Sequence, residues 1–250
     1  MKTALFPVVA ALALAVIPVT SQAAPLLSVD FNADNNINTQ AGFQGFALAQ
    51  GGGSGGVYTN TYGNFTVNVA GDDSVDANGV LNSTGSGPDG VLSRDKGVLG
   101  SGFTYSNLYR DFAFGGNTGA DSFAFQIYGP GLSANTAYNV TFYAYDNDNS
   151  GTSTFTNRTG LNTGDAGTTL GTITWTGGST FNSSTPESIF SLTSTVTSDA
   201  NGRLTFGVGA SGVKGKINGF EISAVPEPGT WALLAFSLTA VIVLRRRQIS

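Results

Sequence analysis

Between residues 137 and 145 the chain reads AYNVTFYAY, and an alternation this regular fits an extended strand far better than a helix. Tyr138, Val140, Phe142 and Ala144 fall on one side, and Asn139, Thr141, Tyr143 and Tyr145 on the other. The same period of two recurs in Leu27, Val29 and Phe31, in Phe65, Val67 and Val69, and in Phe123, Phe125 and Ile127. Strands are predicted over 26–31, 64–70, 108–114, 122–128, 137–145, 168–176, 188–197, 202–209 and 216–223, with almost no helical stripe between them. Gly, Asn, Asp and Pro punctuate these runs, and Asn201-Gly202 is expected to supply the positive φ angles of a hairpin turn. Many short strands at this spacing predict an all-β fold over 24–224, an antiparallel β-sandwich of jelly-roll type.

Composition narrows the chemistry. The 250 residues contain neither cysteine nor histidine. Disulfides, thiolate metal sites, a Ser-His-Asp triad and nearly every zinc or copper site are thereby excluded. Charged residues make up 11% and the formal net charge is −5, so Asn, Ser, Thr and Gly must keep the surface wet. No run of Lys and Arg occurs within the body of the chain, which argues against nucleic acid as a partner. Gly51 to Gly56 holds five glycines and one serine without the Lys-Ser/Thr of a phosphate cradle, and reads as a loop.

The two ends read as targeting segments. Lys2, the apolar stretch from Val8 to Val19 and the small-x-small triplet Ser21-Gln22-Ala23 make residues 1–23 a secretory signal peptide for signal peptidase. At the other end Val225-Pro226-Glu227-Pro228 interrupts any preceding strand, since each proline fixes φ and lacks an N–H. An apolar run from Trp231 to Leu244 follows, then Arg245, Arg246 and Arg247. Residues 230–244 are predicted as a transmembrane helix, short for a span but extended by Trp231 at one headgroup level and by arginines that snorkel at the other. The basic tail 245–250 places that end in the cytosol and residues 24–224 across the inner membrane from it.

This order of Pro-Glu-Pro, apolar segment and arginine cluster resembles the PEP-CTERM sorting signal of Gram-negative bacteria. The matching residues are Val225, Pro226, Glu227, Pro228, the run 231–244, and Arg245, Arg246 and Arg247. The resemblance implies processing by an exosortase at the inner membrane. It also implies delivery to the cell surface or beyond, in proteins associated with exopolysaccharide or biofilm. A second likeness lies in the body: GLSANTAYNVTFYAYD from Gly131 to Asp146, and INGFEI from Ile217 to Ile222, are similar to strands of galactose-binding-like and other carbohydrate-binding β-sandwiches. That likeness implies the fold and, beyond it, sugar binding.

Within the body, Tyr143, Tyr145 and Trp175, with Tyr105 and Tyr109, are candidates for stacking on pyranose rings, against a packing role in the second face of the sandwich. Asp146 and Asp148, with Ser150, offer hard oxygens at alternate positions for calcium, against a solvated Asx-rich turn. Asp72, Asp73 and Asp76 form a weaker cluster. Of the three glutamates, Glu187, Glu221 and Glu227, no pair is placed by the sequence for glycoside hydrolysis. Asn64, Asn82, Asn139, Asn157 and Asn182 head Asn-x-Ser/Thr triplets. The reading expected is a non-enzymatic, exported cell-surface or matrix protein. The alternatives are a polysaccharide-active enzyme on the same scaffold and a purely adhesive subunit.

Overall fold

A computed structural model describes residues 23–33, 38–48, 57–70, 74–75, 81–82, 91–97, 99, 102–115, 119–158, 167–178, 187–210 and 214–225. The segments read as signal peptide, transmembrane helix and basic tail lie outside these residues, Ala23 and Val225 apart. Among the described residues no helix is long and apolar enough to cross a membrane.

The fold is all-β. One sheet holds five strands: β1 (Pro25–Ala33), β2 (Gln44–Leu48), β10 (Ala137–Tyr143), β13 (Ser191–Thr197) and β16 (Gly219–Ala224), in the order β13-β10-β16-β1-β2. A second holds six: β3 (Val57–Tyr62), β4 (Phe65–Ala70), β9 (Gly119–Tyr128), β11 (Gly151–Asn157), β12 (Thr168–Trp175) and β14 (Leu204–Ala210), in the order β12-β11-β14-β9-β4-β3. Eight of these strands fall as 1-16-10-13 facing 9-14-11-12, the strand order of a jelly roll. Among the described residues all pairings are antiparallel save β1 with β2, which run parallel, a departure from the purely antiparallel expectation. Pro25 pairs with Ser223 and Asp30 with Gly219, so the first and last of these strands lie side by side.

The two sheets are held together by phenylalanine. Phe125 of β9 stacks on Phe220 of β16 at 5.0 Å between centroids, and Phe142 of β10 on Phe155 of β11 at 4.6 Å. Phe31 meets Phe125 edge-on, and Phe142 meets Phe206 in the same way. All are fully buried, and each removes enough apolar area from water to be worth roughly 1.5–3 kcal/mol. The outward positions carry threonines instead. Thr141 bonds Thr193, Thr152 bonds Thr174 and Thr154 bonds Thr172 across adjacent strands, at 2.8–3.2 Å. These pairs give the sheets a polar face without charge.

Several local expectations are corrected. Asp111 and not Leu108 opens its strand, because residues 104–110 form turns: the Tyr109 amide donates to the Tyr105 carbonyl, while Gln40 Oε1 takes the amides of Asn107 and Leu108. Gly202 takes a positive φ of 70°, whereas Asn201 does not, because Asp199 Oδ1 accepts the amides of Asn201 and Arg203 and shapes a wider loop. The last predicted strand is broken at Asn218 into β15 (Lys216–Ile217) and β16. β1 is buried on both faces, since a third sheet packs beside it. That sheet comprises β7 (Val91–Asp95), β8 (Asp111–Gly115) and β15, in the order β15-β8-β7. Among the described residues the small pair β5 (Ser74–Val75) and β6 (Leu81–Asn82) completes the strands, and one 3-10 turn spans Glu187–Phe190.

Candidate functional site

The loop after β10 was read as a cation site, and the fold fills it from within. The Asp146 carboxylate is almost wholly buried and accepts the Asp148 amide, the Asn149 side chain and the Lys216 ammonium. Lys96 Nζ lies 3.7 Å from Asp146 and donates to Asp148 Oδ2 at 2.5 Å. Burial pushes the Asp146 carboxyl up, but the Lys216 hydrogen bond and charge outweigh it and leave the group below its ordinary range. Ammonium groups thus pair with both carboxylates of the loop. Among the described residues no set of three or more His, Cys, Asp or Glu is placed to hold a metal. Asp72, Asp73 and Asp76 lie outside them.

Tyr143 and Tyr145, read as stacking surfaces, are buried. Tyr143 lies on the face of β10 opposite Phe142, Tyr145 follows just past the strand, and residues 102–110 fold over both. Tyr109 meets both rings edge-on, at 6.2 and 6.0 Å, Phe103 meets Tyr145, and Phe190 lies 4.7 Å from Tyr145. Other rings thus pack against both, and the aromatic core continues beyond the sandwich. The Tyr143 hydroxyl donates to Glu221 Oε2 at 2.5 Å, while Ser28 holds Glu221 Oε1. Burial first and Glu221 second keep that phenol protonated well above its usual range. Glu187 accepts the amides of Thr104 and Tyr105. Tyr105 keeps an outward edge and, with Phe43, Tyr62, Phe65 and Glu221, lines an open groove of about 720 Å³.

Trp175 leads to a different place. Its Nε1 donates to the Asn149 carbonyl at 2.7 Å, and its ring covers Gly151, where a Cβ would come within 2.6 Å of the indole. The ring forms one wall of a cavity of about 460 Å³ whose other sides are Arg94, Phe112, Phe114, Lys214 and Lys216. The geometry follows from strand period. Arg94 sits opposite Phe112 in the β7–β8 ladder, and Lys216 opposite Phe114 in the β15–β8 ladder. Phe112 and Phe114 are two residues apart in β8 and share one face, and Lys96 and Lys214, just after β7 and just before β15, reach the same two rings. Lys216 lies 4.9 Å from the Phe112 centroid and 5.8 Å from that of Trp175, and Lys214 lies 5.2 Å and Arg94 5.7 Å from Phe114.

The sequence shows no run of cations because the fold assembles this one from separate strands. The signal was present in the spacings Arg-Asp-Lys, Phe-Ala-Phe and Lys-Gly-Lys; what it lacked was the register that brings them together. Seven basic residues lie between 24 and 224, against fifteen acidic ones, and four of the seven are Arg94, Lys96, Lys214 and Lys216. Asp146 and Asp148 occupy Lys216 and Lys96. Among the described residues Arg94 and Lys214 have no carboxylate partner.

Comparison with known proteins identifies the C-terminal end. A family model of the PEP-CTERM protein-sorting motif matches residues 224–247. The match indicates an exported protein of the exosortase-sorted class. The chain carries a PEP-CTERM sorting motif in the residues that suggested it. No curated protein matches the sequence. Among solved structures, Bacteroides uniformis β-glucuronidase 2 covalently bound to cyclophellitol-6-carboxylate aziridine aligns with a TM-score of 0.35 and 9% identity, over 67% of this chain and 22% of that one. A calcium binding mutant of the same enzyme aligns at 0.31 and 7%, over 74% and 20%. The chain thus spans about a fifth of the length of those proteins, and likeness at this level carries nothing about its activity or ligand.

Proposed function

We propose that the chain is a non-enzymatic cell-surface or extracellular-matrix protein that associates with exopolysaccharide. Residues 1–23 direct export and are removed by signal peptidase, 24–224 form the functional β-sandwich, and 225–250 are read by an exosortase at the inner membrane, where the precursor is held through 230–244 before release. The observation that carries this reading is the sorting motif matched at residues 224–247. An acidic, cysteine-free, threonine-faced domain suits the extracellular side, and the cavities beside Tyr105 and Trp175 offer it aromatic and polar contacts for sugar.

Intact mass spectrometry of the protein recovered outside the producing cells tests the reading. The expected species begins at Ala24 and lacks Arg245 to Arg247. Recovery of the complete C-terminus, or unchanged processing after deletion of 225–250, overturns it. Binding of the recovered protein to the exopolysaccharide of the same cells, measured by co-sedimentation, tests the association separately.

A further inference from the structure

Most of the positive charge between residues 24 and 224 is spent in one place. Arg94, Lys96, Lys214 and Lys216 come from β7, β15 and the residues that flank them, and converge over Phe112 and Phe114 of the β15-β8-β7 sheet. Elsewhere the sheets present uncharged threonine pairs to solvent. Gathering four cations within one acidic domain costs repulsion that a counter-charge relieves, and among the described residues carboxylates pair with two of them, Lys96 and Lys216. Arg94 and Lys214 both lie near the Phe114 ring, 5.7 and 5.2 Å from its centroid, and line a cavity of about 460 Å³.

We infer that this cavity binds a carboxylated sugar unit of an acidic polysaccharide, which rests on the exopolysaccharide association proposed above and names its chemistry. A carboxylate entering between Arg94 and Lys214 completes the charge balance, with the planar guanidinium able to take both oxygens. Asn149 and Ser150 line the same cavity beside Trp175 and offer amide and hydroxyl groups to ring hydroxyls. The size suits a sugar unit or two and falls within the usual range of small-ligand pockets. A long polyphosphate track fits poorly, since the rest of the domain is acidic and repels it outside this patch.

The test uses the full-length protein in detergent, with polygalacturonate, neutral dextran and double-stranded DNA as probes in affinity electrophoresis. The expected result is retardation by polygalacturonate that weakens as salt rises, little by dextran, and at least a ten-fold weaker interaction for the double variant Arg94→Ser, Lys214→Ser. The conservative pair Arg94→Lys, Lys214→Arg should keep most of the binding, and circular dichroism should show all three proteins folded. Equal binding to dextran and polygalacturonate, with the double variant unaffected, overturns the site and leaves sugar association standing. Stronger binding to DNA than to polygalacturonate overturns the ligand class. Failure to bind either polysaccharide overturns this inference, while co-sedimentation with the cells' own exopolysaccharide decides separately whether the broader reading falls with it.

Discussion

Asn218 Oδ1 accepts the backbone amide of Tyr145 at 2.6 Å, deep inside the protein and 73 residues away in sequence. The same side chain donates through Nδ2 to the Asp111 carbonyl at 2.6 Å, while its own backbone bonds Phe31 and Tyr143. One amide thus joins the five-stranded sheet, the third sheet and the start of the Asp146 loop. Replacing it by leucine leaves a buried N–H and a buried C=O without partners, each costing about 1–3 kcal/mol. Asn218→Leu should lower the urea unfolding free energy by about 3 kcal/mol; a loss below about 1 kcal/mol would show that the junction is held by packing alone.

Asp30 predicts an unusual pH profile. Burial chiefly raises its carboxyl to about 8; the Gln40 amide, which donates to Oδ2 at 2.7 Å, lowers it and the neighbouring Asp111 raises it. The folded state therefore keeps a proton that the unfolded chain releases near pH 4. The contribution is fully present below that pH and is lost as pH rises toward about 8, at up to about 1.4 kcal/mol per unit. Asp95 and Asp146 act in the opposite sense, since Arg110 and Lys216 hold their carboxyls low, and their stabilisation disappears as pH falls through the carboxylate range. Thermal melts should peak at mildly acid pH, and Asp30→Asn should flatten the decline toward pH 8. A variant that declines as steeply as the parent would remove Asp30 as the cause.

Gly151 allows Trp175 its position. Gly151→Ala places a methyl carbon about where the indole now lies, so the ring must tilt and lengthen its bond to Asn149. A loss of about 1–3 kcal/mol is expected from such overpacking, together with a changed tryptophan emission. The chain has two tryptophans, and removal of the tail with Trp231 would make Trp175 the sole reporter. Unchanged emission and stability would mean that the ring is not packed on residue 151.

Tyr143→Phe tests the second aromatic layer. The variant keeps the ring and loses the charge-assisted bond to Glu221, which is worth about 1.5–3 kcal/mol. Stability at pH 7 should fall by that order while the near-ultraviolet circular dichroism signature persists. A collapse of that signature would assign the hydroxyl a larger part in ordering residues 102–110.

Alternation told which residues share a face, and it did so well for Val140 and Phe142 or for Phe123 and Phe125. What covers a face is set by contacts distant in sequence. Tyr143 and Tyr145 looked outward because the turns that bury them begin forty residues earlier. Asp30 alternates with Val29 and Phe31 and so falls on the opposite face of β1, and only the third sheet encloses it. The cavity beside Trp175 was half visible: the indole and the Asp146 loop stood out, but lysines spaced in pairs along separate strands gave no local sign of meeting. The parallel strand β2 was missed because Gln44 to Leu48 is short and carries a glycine.

The side-by-side course of β1 and β16 has a geometric corollary. Because Pro25 pairs with Ser223, both ends of the described sandwich, next to the processing boundaries proposed above, emerge from a single pole. Lys214 and Lys216 precede Gly219, where β16 begins, and so mark the distal pole. On the membrane attachment proposed above, the cationic cavity would face away from the end at which the chain meets the lipid.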